Sequence, residues 1–373
     1  MTRMALETEV FVVGGGPAGL AVAIAARNRG FSVTVADIAQ PPIDKACAEG
    51  IMPDGLAALR KLGVNIPLDA ASPFRGIRFS DGESAVQARF AQGPGLGTRR
   101  TKLHEILIDK AAAAGIDMHW GARVTGLAPD GVTMNGINVR CRWLVGADGQ
   151  NSRVRCWSGL DSARTPPSTR FGFRRHYRVV PWSEFVEVYW TKHGQLYVTP
   201  VGPEEVCVAF LSRNPKLRLE DAFAAFPQIY ARLQSADLVT REQGTVSTTR
   251  ALRSVYRGST VLVGEASGSV DAITGDGLSM AFQQAHALAE AFLNDDLAQY
   301  QYAHRRIERL PRMMANLMLL LDRNHWLRAR SLRAVEASPT LFARMLAVHT
   351  GELPLFRIGV EETLSFGWRL IRA

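Results

Sequence analysis

Short apolar runs that each end at a glycine or an acid recur at long intervals along this chain. Val10 to Val13 form the first, inside EVFVVGGGPAG, and an unbroken β-branched and aromatic run of this length predicts a strand of a parallel sheet buried on both faces. Pro17 to Arg29 then reads as a small-residue helix, and Ser32 to Val35 as a second strand. A third core strand is expected at Arg142 to Ala147, ending at Asp148-Gly149, and a fourth at Thr260 to Val263, followed by Gly264-Glu265-Ala266. Past Gly275-Asp276-Gly277 the pattern becomes helical from Leu278 to Leu293.

The intervening segments have a different texture. Ile77 to Phe90 alternates and predicts a hairpin turning at Asp81-Gly82, while Thr169 to Leu211 alternates through several strands and reads as an antiparallel meander with one face buried. Helices are expected after Pro53, from Arg99-Arg100 to Gly115, and at Leu219 to Phe226 and Gln228 to Leu233. Strands are expected at Asp117 to Trp120, Val132 to Val139, Gly244 to Ser247 and Ala251 to Ser254. Beyond residue 300 the chain is helical and basic, with Pro311 as a start or kink and Leu317, Leu320 and Leu321 on one face. An α/β fold follows: a dinucleotide-binding, Rossmann-like domain (1–75, 96–165 and 243–300) interleaved with an antiparallel β-sheet domain (76–95 and 166–242), and closed by C-terminal helices (301–373).

The glycines carry the first chemistry. Gly14, Gly16 and Gly19 have the G-x-G-x-x-G spacing, in which the first permits a tight turn, the second lets backbone approach a pyrophosphate and the third lets helix and strand pack closely. Asp37 stands at the end of the second strand, where a carboxylate accepts ribose hydroxyls. In the loop after it lie Cys47 and Glu49, beside the dinucleotide by topology; Cys47 is either a small packing residue or a thiol touching the reactive ring.

Composition narrows the class of partner. The net charge of +9 is spread along the chain with no nucleic-acid-binding module, which argues against nucleic acid and for anionic cofactors, substrates or membrane surface. Arg305, Arg306, Arg309 and Arg312 lie on the C-terminal helical segment, where peripheral membrane contact is the expectation to test. Four scattered cysteines without metal-ligand spacing imply free thiols and no metal site. With Glu7 and Glu9 leading directly into the first strand there is no signal-peptide pattern, so a cytoplasmic location is expected.

Four separated motifs together resemble the FAD-dependent monooxygenase superfamily typified by p-hydroxybenzoate hydroxylase, with features of the geranylgeranyl reductase-like flavoproteins. The resemblance rests on the glycine fingerprint with Asp37, the R-x-x-L of Arg100 to Leu103, the D-G-x-x-S-x-x-R of Asp148, Gly149, Ser152 and Arg155, and Gly264-Glu265-Ala266 with Gly275 and Gly277. It implies FAD, held by these residues, and NADPH or NADH as a transient reductant. Glu265 replaces the family's usual aspartate, the last motif lacks its proline, and Ser279 stands where hydroxylases often have asparagine; these departures, and the Cys47 loop, lean toward the reductases. The leading expectation is a monooxygenase delivering oxygen from O2 to a small apolar or aromatic substrate. A reductase of isolated double bonds in a lipid, with Cys47 beside the flavin, is the second, and a non-catalytic or electron-transfer flavoprotein the third. Phe171, Phe173, Tyr189, Trp190 and Tyr197 are candidate pocket residues, and His176 is the candidate acid–base group of the meander.

Overall fold

The computed structural model describes residues 6–164 and 168–354. Leu6–Val13 is the centre of a parallel sheet, flanked on one side by Val33–Asp37 and Asp117–Trp120 and on the other by Ile137–Gly146 and Thr260–Leu262. The apolar runs explain this placement, since Val10, Phe11 and Val12 are fully buried and only a strand covered on both faces can use such a run. The helices Pro17–Arg27 and Gly277–Leu293 pack together on one face. Each buries four alanines among its larger apolar side chains, which lets the two backbones approach closely.

One expected element divides. Instead of a single strand from Val132 to Val139 there is a hairpin of Gly131–Met134 and Ile137–Gly146, turning at Asn135-Gly136. Both turn residues have positive φ, 49° and 77°, the backbone a two-residue hairpin turn demands and the reason Asn-Gly occupies it.

The second sheet has nine strands among the described residues. Ser168–Arg178, Glu205–Ser212, Gly194–Gly202 and Phe185–Trp190 form its antiparallel middle, and the hairpin Gly76–Ser80 and Ala85–Arg89 joins through a parallel pairing with Phe185–Trp190. Gln243–Ala251 is one continuous strand, not two, and pairs with Ser168–Arg178, so this sheet extends past the boundary expected at residue 243. Strand alternation gives the sheet two apolar faces. Val186, Val188 and Trp190 point to a cavity under the C-terminal helices, whereas Tyr189 points to the other face, against Leu219–Ala225 and Pro227–Leu233.

Helix Leu297–Arg323 runs through Pro311 without ending, and His325–Glu336 and Pro339–His349 follow. No helix among the described residues is long and apolar enough to cross a membrane. The expectation for residues 355–373 lies outside the described residues.

Candidate functional site

The three fingerprint glycines occupy three different environments. Gly14 has φ +109° and Gly19 sits so close that an added Cβ would stand 1.9 Å from the Gly14 carbonyl oxygen. A Cβ on Gly16 would meet nothing within 4 Å, so the loop opens to a cleft at that residue. Asp37 ends its strand beside this loop, accepting from the Gly15 N–H at 2.7 Å and the Ala39 N–H at 2.8 Å. On the other side the buried His104 ring accepts from the Ile43 N–H at 3.0 Å through Nδ1, which leaves Nε2 to donate to the Gly15 carbonyl at 2.7 Å. Burial holds the His104 pKa below its ordinary value, in keeping with the neutral ring this arrangement uses. Sequence reasoning passed over His104, although it lies with Leu107 and Ala111 on the buried stripe of its helix.

The remaining motifs converge on the same cleft. Arg100 opens the helix Arg100–Ala113; its backbone N–H donates to Glu49 at 2.9 Å, and its Nε is buried without a partner. The Asp148 carboxylate accepts from the Arg153 N–H at 2.7 Å and from the Ser152 hydroxyl, and Gly149 takes a positive φ of 78° to make the turn. Arg155, almost fully buried, donates to the Ala266 carbonyl at 3.2 Å and so ties the Asp148 motif to Gly264-Glu265-Ala266. Glu265 is exposed and paired with Lys45. Gly275 adopts φ +75° and leads into Gly277, the first residue of the long helix, where again a Cβ would meet nothing within 4 Å. A helix N-terminus facing open space is a site for negative charge.

His176 stands elsewhere than a pocket base would. It is fully enclosed, with Nε2 2.6 Å from Glu49 and Nδ1 2.9 Å from the Thr240 hydroxyl, and it is not part of the wall of the large cavity. Glu49, itself at a positive φ of 62°, is shared among His176, the Arg100 N–H and Arg174, whose guanidinium also meets both oxygens of Asp44 at 2.9 Å. Cys207 approaches the same group, giving Glu49, His176 and Cys207 the proximity of a metal triad. The guanidinium of Arg174 already compensates Glu49 there, and burial pushes the Cys207 thiol well above its ordinary pKa, so the cluster reads as a closed ion network bracing the Cys47 loop.

That loop forms one end of a cavity of about 430 Å3 between the second sheet and the C-terminal helices. Of the candidate pocket residues Phe173, Trp190 and Tyr197 line it and Phe171 and Tyr189 do not; Cys47 is also in its wall. The wall is completed by Phe74, Ile77, Phe79, Leu211 and Ile273, and by Met314, Leu317, Met318, Leu321 and Phe342 from the helices. Ala272 to Gly275, just before the long helix, close the end nearest the glycine cleft together with Met52 and His349. His349 lies 3.4 Å from Asp276, and Asp54 nearby is raised to a pKa of about 6 by burial first and by Asp276 second. Sequence inspection missed this group because its members come from three distant segments.

A model of the family described as FAD binding domain matches residues 7–295. The chain belongs to this flavoprotein superfamily. It is 28% identical over 336 residues to a protein named menaquinone reductase from Mycolicibacterium smegmatis, covering 80% of each chain. To digeranylgeranylglycerophospholipid reductase 1 of Methanococcoides burtonii it is 24% identical over 322 residues, covering 79% of this chain and 77% of that one. The crystal structure of a flavoprotein/dehydrogenase from Cytophaga hutchinsonii superposes with a TM-score of 0.81 at 19% identity, over 98% of this chain and 100% of the other. The residues present fit FAD: open space beside Gly16 and Gly277, a helix N-terminus facing the cleft, and the unpartnered Nε of Arg100 supply what a diphosphate and a flavin need. The chain is therefore an FAD-dependent oxidoreductase.

Proposed function

We propose that this protein saturates isolated double bonds in the polyprenyl chain of a lipid, a prenylated quinone being the first candidate, with NADPH or NADH as the electron source. The observation that carries this reading is the cavity wall. Most of its side chains are apolar, with the guanidiniums of Arg174 and Arg328 at its margin, and the titratable group expected to act as acid or base, His176, is walled off behind Arg174 and Glu49. Aromatic hydroxylation asks for convergent polar groups that orient a ring; a polyprenyl chain asks only for a long dry slot. The relatives that match over most of their length carry reductase names, which supports the same choice over oxygen insertion.

Bound in the glycine cleft and reduced, FAD would be the source of the hydride for one carbon of the double bond. The chain's own part is to bury the alkene, exclude water and hold a proton for the second carbon. The wall carries hydroxyls (Tyr197, Thr199, Thr245, Ser247, Thr274, Ser331) and guanidiniums (Arg174, Arg328), and two further groups able to give up a proton more readily: the thiol of Cys47, whose Sγ accepts from the Glu49 N–H at 3.4 Å, and the imidazole of His349 beside Asp276. The N-terminus of Gly277–Leu293 stabilises negative charge at the cleft.

The test is an anaerobic single turnover of the reduced holoprotein with menaquinone in detergent, read by mass spectrometry. A mass gain of two hydrogens that persists after the ring is reoxidised from quinol to quinone, and that maps to the polyprenyl chain, supports the reading; a gain that is lost on reoxidation, or no anaerobic product with a gain of one oxygen on admitting air, refutes it. Ala209→Trp, which fills the cavity from a strand position, should abolish that turnover and leave FAD binding within about twofold.

A further inference from the structure

The helix that roofs the cavity has an outer face unlike an ordinary protein surface. On Leu297–Arg323, at about 100° per residue, Met313, Leu317 and Leu320 fall within about 60° of arc, and they are exposed by 40%, 38% and 51%. The next helix begins one residue after the first ends and presents Trp326, 58% exposed, at the corner between them. Toward the N-terminal end the same stripe turns basic, as Arg306 and Arg309, and Arg323 flanks the corner; all three are exposed and make no ion pair among the described residues. The Arg330 guanidinium stacks over the Trp326 ring at 4.3 Å, holding a cation beside the apolar tip.

A protein that displayed these side chains only to water would gain nothing from grouping them. Apolar residues and a tryptophan at a helix corner, ringed by arginines, match the depth profile of an anionic bilayer, in which aliphatic groups enter the acyl boundary, tryptophan sits at headgroup level and arginines reach phosphates. The surface is also continuous with the cavity: Leu317 is both exposed and part of the wall, next to Met318 and one turn from Met314 and Leu321 inside. We infer that the corner of Leu297–Arg323 and His325–Glu336 is a docking surface for an anionic lipid bilayer, inserting Leu320 and Trp326 among the lipids beside the mouth of the cavity. The docking surface stands on this face alone; that the bilayer delivers the cavity's occupant rests on the proposed lipid reductase reading.

The experiment is co-flotation of the FAD-loaded protein with substrate-free vesicles, either pure phosphatidylcholine or a mixture of phosphatidylcholine with 30 mol% phosphatidylglycerol. The wild type should float with the anionic vesicles, at least tenfold more weakly with the neutral ones, and detach progressively as salt rises. The Leu320→Glu, Trp326→Glu double variant should bind the anionic vesicles at least tenfold more weakly, with an unchanged flavin spectrum and unchanged turnover of detergent-dispersed substrate. Wild type that stays with the soluble fraction on anionic vesicles overturns the inference. So does a double variant that floats as well as the wild type, because binding would then owe nothing to this corner. No vesicle carries substrate, so vesicle binding without polyprenyl reduction would refute only the reductase reading, and reduction without binding only the docking surface.

Discussion

Asp54 offers a direct test of how the end of the cavity is held. It lies in the first turn of Pro53–Lys61, where the helix start favours a negative charge, yet burial and the neighbouring Asp276 outweigh that and raise its pKa from 3.8 to about 6. Below pH 3.8 the folded and unfolded chains both carry the proton, and Asp54 leaves stability unchanged. Between 3.8 and about 6 the unfolded chain has released a proton that the folded chain keeps, so stability falls as pH rises through this window. Above it the loss is constant. At about 1.4 kcal/mol per pKa unit the gap corresponds to a cost of about 3 kcal/mol at pH 7.5.

Asp54→Asn removes the ionisation and keeps an acceptor for the Gln283 amide, which donates to Asp54 at 2.9 Å. The variant should therefore be more stable than wild type by about 1 to 3 kcal/mol at pH 7.5, the lower figure allowing for a weakened contact with the Ser279 hydroxyl, and this gain should shrink by about 2 kcal/mol or more at pH 4. Urea unfolding of both proteins with saturating FAD at the two pH values measures the difference. A variant no more stable than wild type at pH 7.5, or one with the same gain at both pH values, would refute the claim that a buried charge is responsible.

Gly19→Ala puts a methyl carbon 1.9 Å from the Gly14 carbonyl oxygen, so the fingerprint helix must move away from its strand; FAD affinity should fall at least tenfold, measured by fluorescence titration. Arg174→Met leaves Glu49 and Asp44 without their guanidinium in a buried network and should cost about 3 to 5 kcal/mol in urea unfolding, much of it recovered in the Arg174→Met, Glu49→Gln double variant.

The cofactor half of the site was legible because its constraints are backbone constraints. A turn with φ +109°, a helix that touches a strand and a loop open to a phosphate each demand glycine, and their spacing survives in one dimension. Asn135-Gly136 carried an equally local signal, and reading Val132 to Val139 as one strand missed it because β-branched residues on both sides suggested continuity. The substrate half was less legible for a different reason. Trp190 and Tyr189 are neighbours in sequence, yet one faces the cavity and the other Phe226 on the opposite side, and a one-residue change in strand phase would exchange them. His176 attracted notice as a titratable group in a strand; its burial against Glu49 depends on a loop 127 residues away, which no local pattern reports.

The ion network around Arg170 connects the two halves and limits how the cavity can open. Arg170, on the strand Ser168–Arg178, reaches Asp271 at 3.5 Å and Asp322 at 3.8 Å, and donates to Gln195 at 2.6 Å. Asp271 caps the turn Ala272–Thr274 that leads into the glycines at Gly275 and Gly277, while Asp322 lies at the end of the roofing helix. One buried guanidinium thus fixes both the approach to the helix Gly277–Leu293 and one end of the roof. Detaching that end would pull Asp322 away from Arg170, Gln195 and Arg213, the last at 2.7 Å, and leave the buried Arg170 guanidinium less compensated beside Asp271, a cost of several kcal/mol. The opposite part of the roof, around Met314 and Leu317, is held by apolar contacts and borders exposed surface. A long apolar ligand of the kind proposed would therefore enter more cheaply along that helix's outer flank, next to the arginine-ringed corner, while the Arg170 network keeps the turn before Gly277 in place.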